Sequence, residues 1–350
     1  MSRRRRSVFL AGKLAVAASL IGWLLRSGTL DVGALRLFLD RPDLLAATLA
    51  LFLLGAGFGT LRWRLLLKLA EIHVPLGRAL QLQLIAVFFN VVVPGNIGGD
   101  VVKSVYVARQ VALGKRPTVF LIAFVDRLVA VAGLIVVALA ATLWRGRIVG
   151  AHAQLRQLTA TVVALAAVAL VALVVVLVLL RTSGERFERG AGGTTRLARI
   201  LGPLVATARL VLGRPPGLVV ALGLAVSVYL AGIGVFAALA AAITQHEVPL
   251  AAIASIYPLG MLTLVVPISP AGIGVGHVAF DHLFAIVGLA GGATVFNVYL
   301  VGQIAPCLIG ALPYLAVRRE ATPPTEAEAE AQQAGGSEQD RAQSDYDVRP

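Results

Sequence analysis

Sulfur and charge are what this sequence uses least. Among 350 residues there is one cysteine, Cys307, set in an apolar run, and there are two methionines. A single thiol builds neither a disulfide framework nor a cysteine-based metal site. Charged residues make up 14% of the chain, where a soluble domain carries about a quarter. Acid is scarcer still: residues 1–319 hold 29 Lys/Arg against 10 Asp/Glu, a balance of +19, while residues 320–350 hold 2 against 8, a balance of −6. No GxxxxGK[ST] run is present, so the sequence has no evident ATP-binding loop. There is no Gly-x-Ser-x-Gly elbow for a hydrolase nucleophile, and no soluble stretch long enough to house a cofactor, so none is expected. Basic charge without an aromatic-basic patch or a soluble module argues against a nucleic-acid partner.

What the chain has instead is oil. It is 58% hydrophobic with mean hydropathy +0.86, and several apolar runs reach the roughly 18 residues needed to cross hydrocarbon as helices. The runs are continuous rather than alternating, which argues against a β-barrel. The expected fold is an all-α polytopic membrane protein. Its full spans fall at about 8–25, 44–61, 117–144, 158–180, 216–243 and 292–316. Two further apolar segments, 79–113 and 250–290, are each broken near the middle by Gly/Pro-rich sequence. The start could pass for a cleaved signal, with Arg3–Arg6 ahead of an apolar stretch and Ala15-Val16-Ala17 as a cleavage-like site. Lys13 interrupts that stretch, and a retained first span anchored by the arginines is the preferred reading.

Lys/Arg near span ends sets orientation, basic side inward. Arg3–Arg6 place the N-terminus in the cytoplasm, the balanced loop 26–43 outside, and Arg62, Arg64, Lys68 and Arg78 inside again. If 79–113 crossed once, Arg109, Lys115, Arg116 and the loop 181–214, with seven Arg and two Glu, would all lie outside. If it dips in and returns, both clusters lie inside. The same reasoning applied to 250–290 brings Arg318 and Arg319 to the cytoplasm; Arg145, Arg147 and Arg156 stay outside as the cost. The two broken segments also resemble each other. "PGNIGGD" (Pro94–Asp100) and "PAGIGVG" (Pro270–Gly276, with Gly272, Gly274 and Gly276) align at Pro94/Pro270, Ile97/Ile273 and Gly98/Gly274. Entering from opposite faces, they would be the two re-entrant hairpins of an inverted repeat, which in transporters meet at the substrate site.

Two regions outside the spans stand apart. Within 181–214, Leu197, Ile200, Leu201, Leu204, Val205, Ala208, Val211 and Leu212 share one helical arc opposite Arg196 and Arg199. That pattern suits a helix lying in anionic headgroups, or an ordinary connector kinked at Pro203. The division is therefore a membrane domain over 1–319 and an acidic tail over 320–350, whose low-complexity composition is that of a disordered cytoplasmic segment.

Irregular backbone survives in a bilayer only under cover of protein or a watery cavity. Pro94, Gly95, Gly98 and Gly99 break the first segment, and a helix opening at Gly99/Asp100 aims free N–H groups that attract anions; a plain turn with Asp100 as helix cap is the alternative. Asp100 and Lys103, three apart, share a helix face and could pair. Asp126 and Arg127 lie about ten residues inside an apolar span, where ionisable groups face a partner or a cavity. Being adjacent they diverge by about 100°, so each needs a partner elsewhere: Asp100, Lys103 or a lipid phosphate. In the second segment His277 and Asp281 are spaced i, i+4, so the carboxylate could orient the imidazole for proton coupling or gating; a histidine satisfied in a helix contact is the alternative. Two histidines and one aspartate without HExxH or cysteine partners do not make a metal site.

At these residues the chain resembles a known family. "RWRLLLKLAEI", "FFNVVVPGNIGGDVVKSVYVAR", "VDRLVAVAGL" and "VPISPAGIGVGHVAF" are similar to the lysylphosphatidylglycerol synthase transmembrane region, a flippase-like domain, over most of 8–318. The resemblance implies lipid translocation, with Asn90, Pro94, Gly95, Gly98, Gly99, Asp100, Asp126 and Arg127 at the family's motif positions. Lys103 stands where the family usually has Arg, and His277 where it often has Glu. The aminoacyl-transferase domain of the full resistance proteins does not follow Arg319, so the chain alone is not expected to synthesise lysyl-lipid.

The expected function is movement of a phospholipid or lipid-linked headgroup between the leaflets of a bacterial cytoplasmic membrane. Asp100, Lys103, Asp126 and Arg127 would handle an anionic or phosphate-bearing headgroup. Two other classes stay open: a membrane-embedded transferase using Asp100 or Asp126, and a scaffold for a separately encoded lipid-modifying enzyme. Small-residue stretches such as "LAGIGVFAALAAA" permit close helix packing, within one chain or between chains.

Overall fold

The computed structural model describes residues 32–92, 98–148, 211, 213–244, 248–265 and 272–316, with four isolated helical positions at 160, 164, 167 and 171. Residues 1–313 form one compact unit and 314–350 another; the helix packing and the site below belong to the first. The expected spans 8–25 and 158–180, almost all of the 181–214 loop and the acidic tail lie outside the described residues.

Every described element is helical. In order they are α1 (Val32–Asp40), α2 (Pro42–Leu69), α3 (Leu76–Val92), α4 (Gly98–Ala108), a short 3-10 turn (Leu113–Lys115), α5 (Arg116–Ile148), α6 (Pro215–Thr244), α7 (Leu250–Thr263), α8 (Val275–Ile286), α9 (Gly292–Gly302) and α10 (Ile304–Ala316). Four stretches are long and apolar enough to cross a membrane: Pro42–Leu69, Leu113–Ala141, Pro215–Thr244 and Gly292–Tyr314. Only 22% of the apolar window of α2 and 28% of that of α6 is buried inside the chain. The remainder, including Leu54, Val219, Val220 and Leu230, must face an apolar medium. The shorter apolar helices α7 and α8 do not reach spanning length.

Helix α2 shows how local chemistry sets these lengths. It opens with Pro42 in its first turn beside Asp43, the residue types that suit a helix start. It closes on Glu71, which adopts left-handed backbone at φ 61°. The Glu71 N–H donates to the Lys68 carbonyl at 3.0 Å and the Ile72 N–H to the Leu67 carbonyl at 2.9 Å, the paired bonds of a Schellman ending. The helix therefore runs eight residues beyond the expected end at 61, through Arg62 and Arg64. The sequence reading had placed both of those in a loop.

Helix α2 packs along α6, and α6 along α5; α3 folds back on α4, α7 packs on α8 and α5, and α8 packs on α9. Small residues allow the close approach. Gly133 of α5 meets Ala225 of α6, and a Cβ at Gly99 would collide with the Ala86 carbonyl oxygen. The second half is centred on aromatic side chains. Phe236, Tyr257, Phe280 and Phe296 are all nearly or fully buried, and Phe236 lies 4.5 Å from Phe280 and 5.1 Å from Tyr257 between ring centroids. Each broken segment thus contributes two described helices, α3 with α4 and α7 with α8. Their links, 93–97 and 266–271, lie outside the described residues.

Candidate functional site: a buried ion chain beside an aromatic cavity

Three helices bring charge to one place. Asp126, on α5, is gripped by Arg62 of α2: Nε donates to Oδ1 at 2.7 Å and Nη2 to Oδ2 at 3.1 Å. That two-point fork is the strong form of an ion pair. Lys103 of α4 lies between two carboxylates, with Nζ 2.9 Å from Asp100 Oδ1 and 3.6 Å from Asp126 Oδ2. It also reaches Gln83 Oε1 at 3.4 Å and sits 4.9 Å over the Trp63 ring. Asp100 Oδ2 in turn accepts from Arg127 Nη1 at 3.5 Å. The result is an alternating chain, Arg62–Asp126–Lys103–Asp100–Arg127.

Exposure is lowest at its middle and greatest at Arg127. The Lys103 and Asp126 side chains are 2% and 5% accessible, Arg62 10%, Asp100 20% and Arg127 33%. At the closed end the charges have no medium but one another, and removing one partner of such a pair costs about 3–5 kcal/mol. At the open end the contact is longer and solvent-facing, where an ion pair is worth about 1 kcal/mol or less. The buried half joins α2, α4 and α5, and the Asp100–Arg127 half is the more exposed.

The hairpin of α3 and α4 is held by its own device. The Gly99 N–H donates to Asn90 Oδ1 at 2.8 Å, and the absence of a side chain at Gly99 lets α4 lie directly on the α3 backbone at Ala86. Ser104 Oγ donates to the Asp100 carbonyl at 2.7 Å, so its hydroxyl is satisfied within the helix. Asp100 falls in the first turn of α4, where a carboxylate complements the helix N-terminus. Asn90, Gly98, Gly99, Asp100, Lys103, Asp126 and Arg127 therefore gather in one region. Pro94 and Gly95 lie outside the described residues.

Arg62 was missed as a site residue. A hydropathy window ends a span at the first strong charge, so Arg62 reads as a loop cation with Arg64 and Lys68. In the fold Arg62 is buried and its charge is matched by Asp126, 64 residues later. Arg64 is also held, donating from Nε to the Val74 carbonyl at 2.9 Å across the turn into α3. One signal was available: Leu61, Leu65, Leu66, Leu67 and Leu69 continue the apolar helix past Arg62, and Asp126 needed a cation.

Against the open end of the ion chain lies a cavity of about 390 Å³. Arg62, Gln83, Asn90 and Arg127 line it from α2, α3 and α5; Tyr229, Tyr257 and Tyr299 line it from α6, α7 and α9. Its volume is in the range of small-ligand sites. The phenol of Tyr257 lies against Gly232, so that any side chain there would strike its hydroxyl. Phe52 packs 5.3 Å from Tyr299 between centroids, completing an aromatic wall that the sequence reading did not identify.

The second broken segment contributes differently. Gly272, at φ 77°, lines the cavity, while Gly276 is packed against the Phe296 ring. Gly274, at φ 82°, precedes α8, and its N–H donates to His277 Nδ1 at 3.3 Å. The His277 ring stands edge-on to Phe296 at 5.1 Å. Asp281 Oδ1 accepts from the Ala293 N–H at 3.5 Å. Each of these two side chains thus holds a neighbouring backbone N–H rather than the other, and neither lines the cavity. Pro270 lies outside the described residues. Among the described residues no three His, Cys, Asp or Glu side chains gather as a metal-ligand set.

The family model for the lysylphosphatidylglycerol synthase TM region matches residues 10–311, and the chain belongs to that family. With its four span-length helices it is a multi-pass membrane protein. No curated protein and no solved structure matches the chain.

Proposed function

We propose that this protein moves a phosphate-bearing lipid headgroup between membrane leaflets through the cavity beside Arg127, with the acyl chains left in the bilayer. The observation that carries this reading is the contrast between the buried and the exposed members of the ion chain. Its buried end, Arg62–Asp126–Lys103, fixes three helices, and its open end, Asp100–Arg127, presents a cation to a polar cavity inside a membrane protein. A headgroup phosphate would take the place of Asp100 on Arg127 and leave again by the reverse exchange. That route avoids dragging charge through hydrocarbon, which is costly for any ion.

In this reading α3/α4 and α7/α8 are re-entrant hairpins that enter from opposite faces as an inverted repeat. The protein sits in a bacterial cytoplasmic membrane with both termini inside, and its partners are membrane lipids. The pairing of α3 with α4 and of α7 with α8 and the below-span length of α7 and α8 support it, together with the family's membrane-region identity.

The test is leaflet exchange of fluorescent phospholipids in vesicles holding the purified protein. Exchange above that of empty vesicles, reduced about tenfold or more by Asp100→Asn, a change of at least 1.4 kcal/mol in the exchange barrier, is the expected result. No exchange across anionic, zwitterionic and polyprenyl lipids would sink the translocation reading.

A further inference from the structure

Lys103 is the most enclosed charge of the ion chain, with a side chain 2% accessible. A lysine ammonium carries three N–H donors and accepts nothing. Three oxygens surround this one: Asp100 Oδ1 at 2.9 Å, Gln83 Oε1 at 3.4 Å and Asp126 Oδ2 at 3.6 Å. Trp63 presents its ring at 4.9 Å, a further attraction for a cation. These partners come from four helices: Trp63 from α2, Gln83 from α3, Asp100 from α4 itself and Asp126 from α5. Gln83 and Arg127 line the cavity, but Lys103 is not on its lining. A headgroup could reach the ammonium only by displacing a carboxylate from its buried cation, and stranding a buried charge in that way is costly.

The two carboxylates that Lys103 joins are held differently. Asp126 is already fixed by the two-point fork from Arg62. Asp100 meets a separate cation at each oxygen, Lys103 at Oδ1 and, at 3.5 Å, Arg127 at Oδ2. The shorter of these contacts is the buried one. A carboxylate is planar, so holding one oxygen sets the direction in which the other points. Asp126 and Arg127 are consecutive residues of α5. An ammonium tied to Asp126 is therefore held in register with Arg127 as well. Through Lys103, a carboxylate on α4 is located relative to a guanidinium on α5.

We propose that Lys103 is a positioning residue for the headgroup exchange: it aims Asp100 at Arg127 and does not itself touch the lipid. This rests on the reading of Arg127 as the headgroup contact. It adds a residue that acts from behind the cavity wall, through Asp100.

The test is a double-variant cycle on leaflet exchange by the purified full-length protein. The probe is fluorescent phosphatidylglycerol at several mole fractions in phosphatidylcholine vesicles, with rates taken per folded protein. Asp100→Asn and Lys103→Met should each slow exchange about tenfold. The double variant should be no slower than either single one, because both changes remove the same contact. The mole fraction that half-saturates exchange should be the same for Lys103→Met as for the unaltered protein. A double variant slowed about a hundredfold, the product of two independent effects, overturns the proposal. So does a rise in the half-saturating fraction with Lys103→Met, which would make Lys103 a lipid contact. If Lys103→Met fails to fold, Lys103→Gln, which removes the charge but keeps a polar tip, is held to the same criteria. Absence of exchange by the unaltered protein sinks translocation alone. The cryo-EM structure of the lysine variant then decides the positioning role: Asp100 turned away from Arg127 supports it, and an unchanged Asp100–Arg127 contact overturns it.

Discussion

The two segments that Gly/Pro-rich sequence interrupts each contribute a pair of helices, α3 with α4 and α7 with α8, and the pairs differ in chemistry. In α3/α4 the arms are tied by polar groups, Asn90 to Gly99 and Gln83 to Lys103, and Lys103 goes on to Asp100 within α4 and Asp126 of α5. In α7/α8 the arms meet through apolar contact, with Gly260 lying under the Phe280 ring. That ring stacks on Phe296 at 5.1 Å. Both arrangements rely on a glycine at the closest approach, but one glycine faces a carbonyl and the other a ring. The comparison teaches that two helix pairs of one chain can be held by different chemistry, α3/α4 by polar and charged groups and α7/α8 by aromatic contact.

The largest test of this contrast is at the buried end of the ion chain. Arg62→Ala should strand Asp126 and destabilise the protein by about 3–5 kcal/mol, read as loss of folded yield or a much lower melting temperature in detergent. The double variant Arg62→Met with Asp126→Leu should recover most of that loss, since an apolar pair of similar volume replaces both charges. No recovery would mean that the pair does more than neutralise itself.

A second test compares the two glycines. Gly99→Ala drives a methyl into the Ala86 carbonyl, a backbone that cannot step aside, and should cost about 2–3 kcal/mol, the upper part of the range for overpacking. Gly260→Ala meets the Phe280 ring, which can tilt, and should cost about 1–2 kcal/mol. Melting curves of the two variants side by side check the order; a more harmful Gly260→Ala would make the aromatic segment the stiffer of the two.

At the open end the expectation is reversed. Arg127→Gln removes a partly exposed contact and should change stability by only about 1 kcal/mol or less, while leaflet exchange falls at least about tenfold, a loss of roughly 1.4 kcal/mol of barrier lowering. A variant that melts normally and still exchanges lipid would move the headgroup site away from Arg127. The smallest effect lies outside both segments. Glu71→Gly relieves left-handed backbone at the end of α2 and should stabilise the protein by about 0.5 kcal/mol, after the loss of chain entropy is set against the relief of strain. Its surface pairing with Arg214, at 3.4 Å and half-exposed, adds little to oppose this.

Much of this was legible from residues alone where the signal is local. Continuous apolar runs marked the long helices, and Gly/Pro breaks marked the two interrupted ones. The three-residue spacing of Asp100 and Lys103 predicted an ion pair that is found at 2.9 Å. The depth of Asp126 and Arg127 in an apolar run predicted partners elsewhere, among them Lys103 and Asp100. The partner that grips Asp126 most closely, Arg62, was not legible, because it lies 64 residues away and charge at a span edge carries the same sequence signature whether it faces water or a carboxylate. His277 and Asp281 show the converse. Helical spacing permits them to meet, yet each is drawn to a backbone N–H, of Gly274 and Ala293, that the fold places nearer.

The sequence by itself determined that this chain lives in hydrocarbon, that its structure is helical, and where its apolar helices are interrupted, since these depend on composition and on bonds between near neighbours. Only the tertiary structure decided which charges neutralise which, and that the tyrosines of three helices share a cavity with Arg127. Those outcomes depend on the packing of α2, α3, α4, α5, α6, α7 and α9, and on the high cost of an unmatched charge where water is excluded.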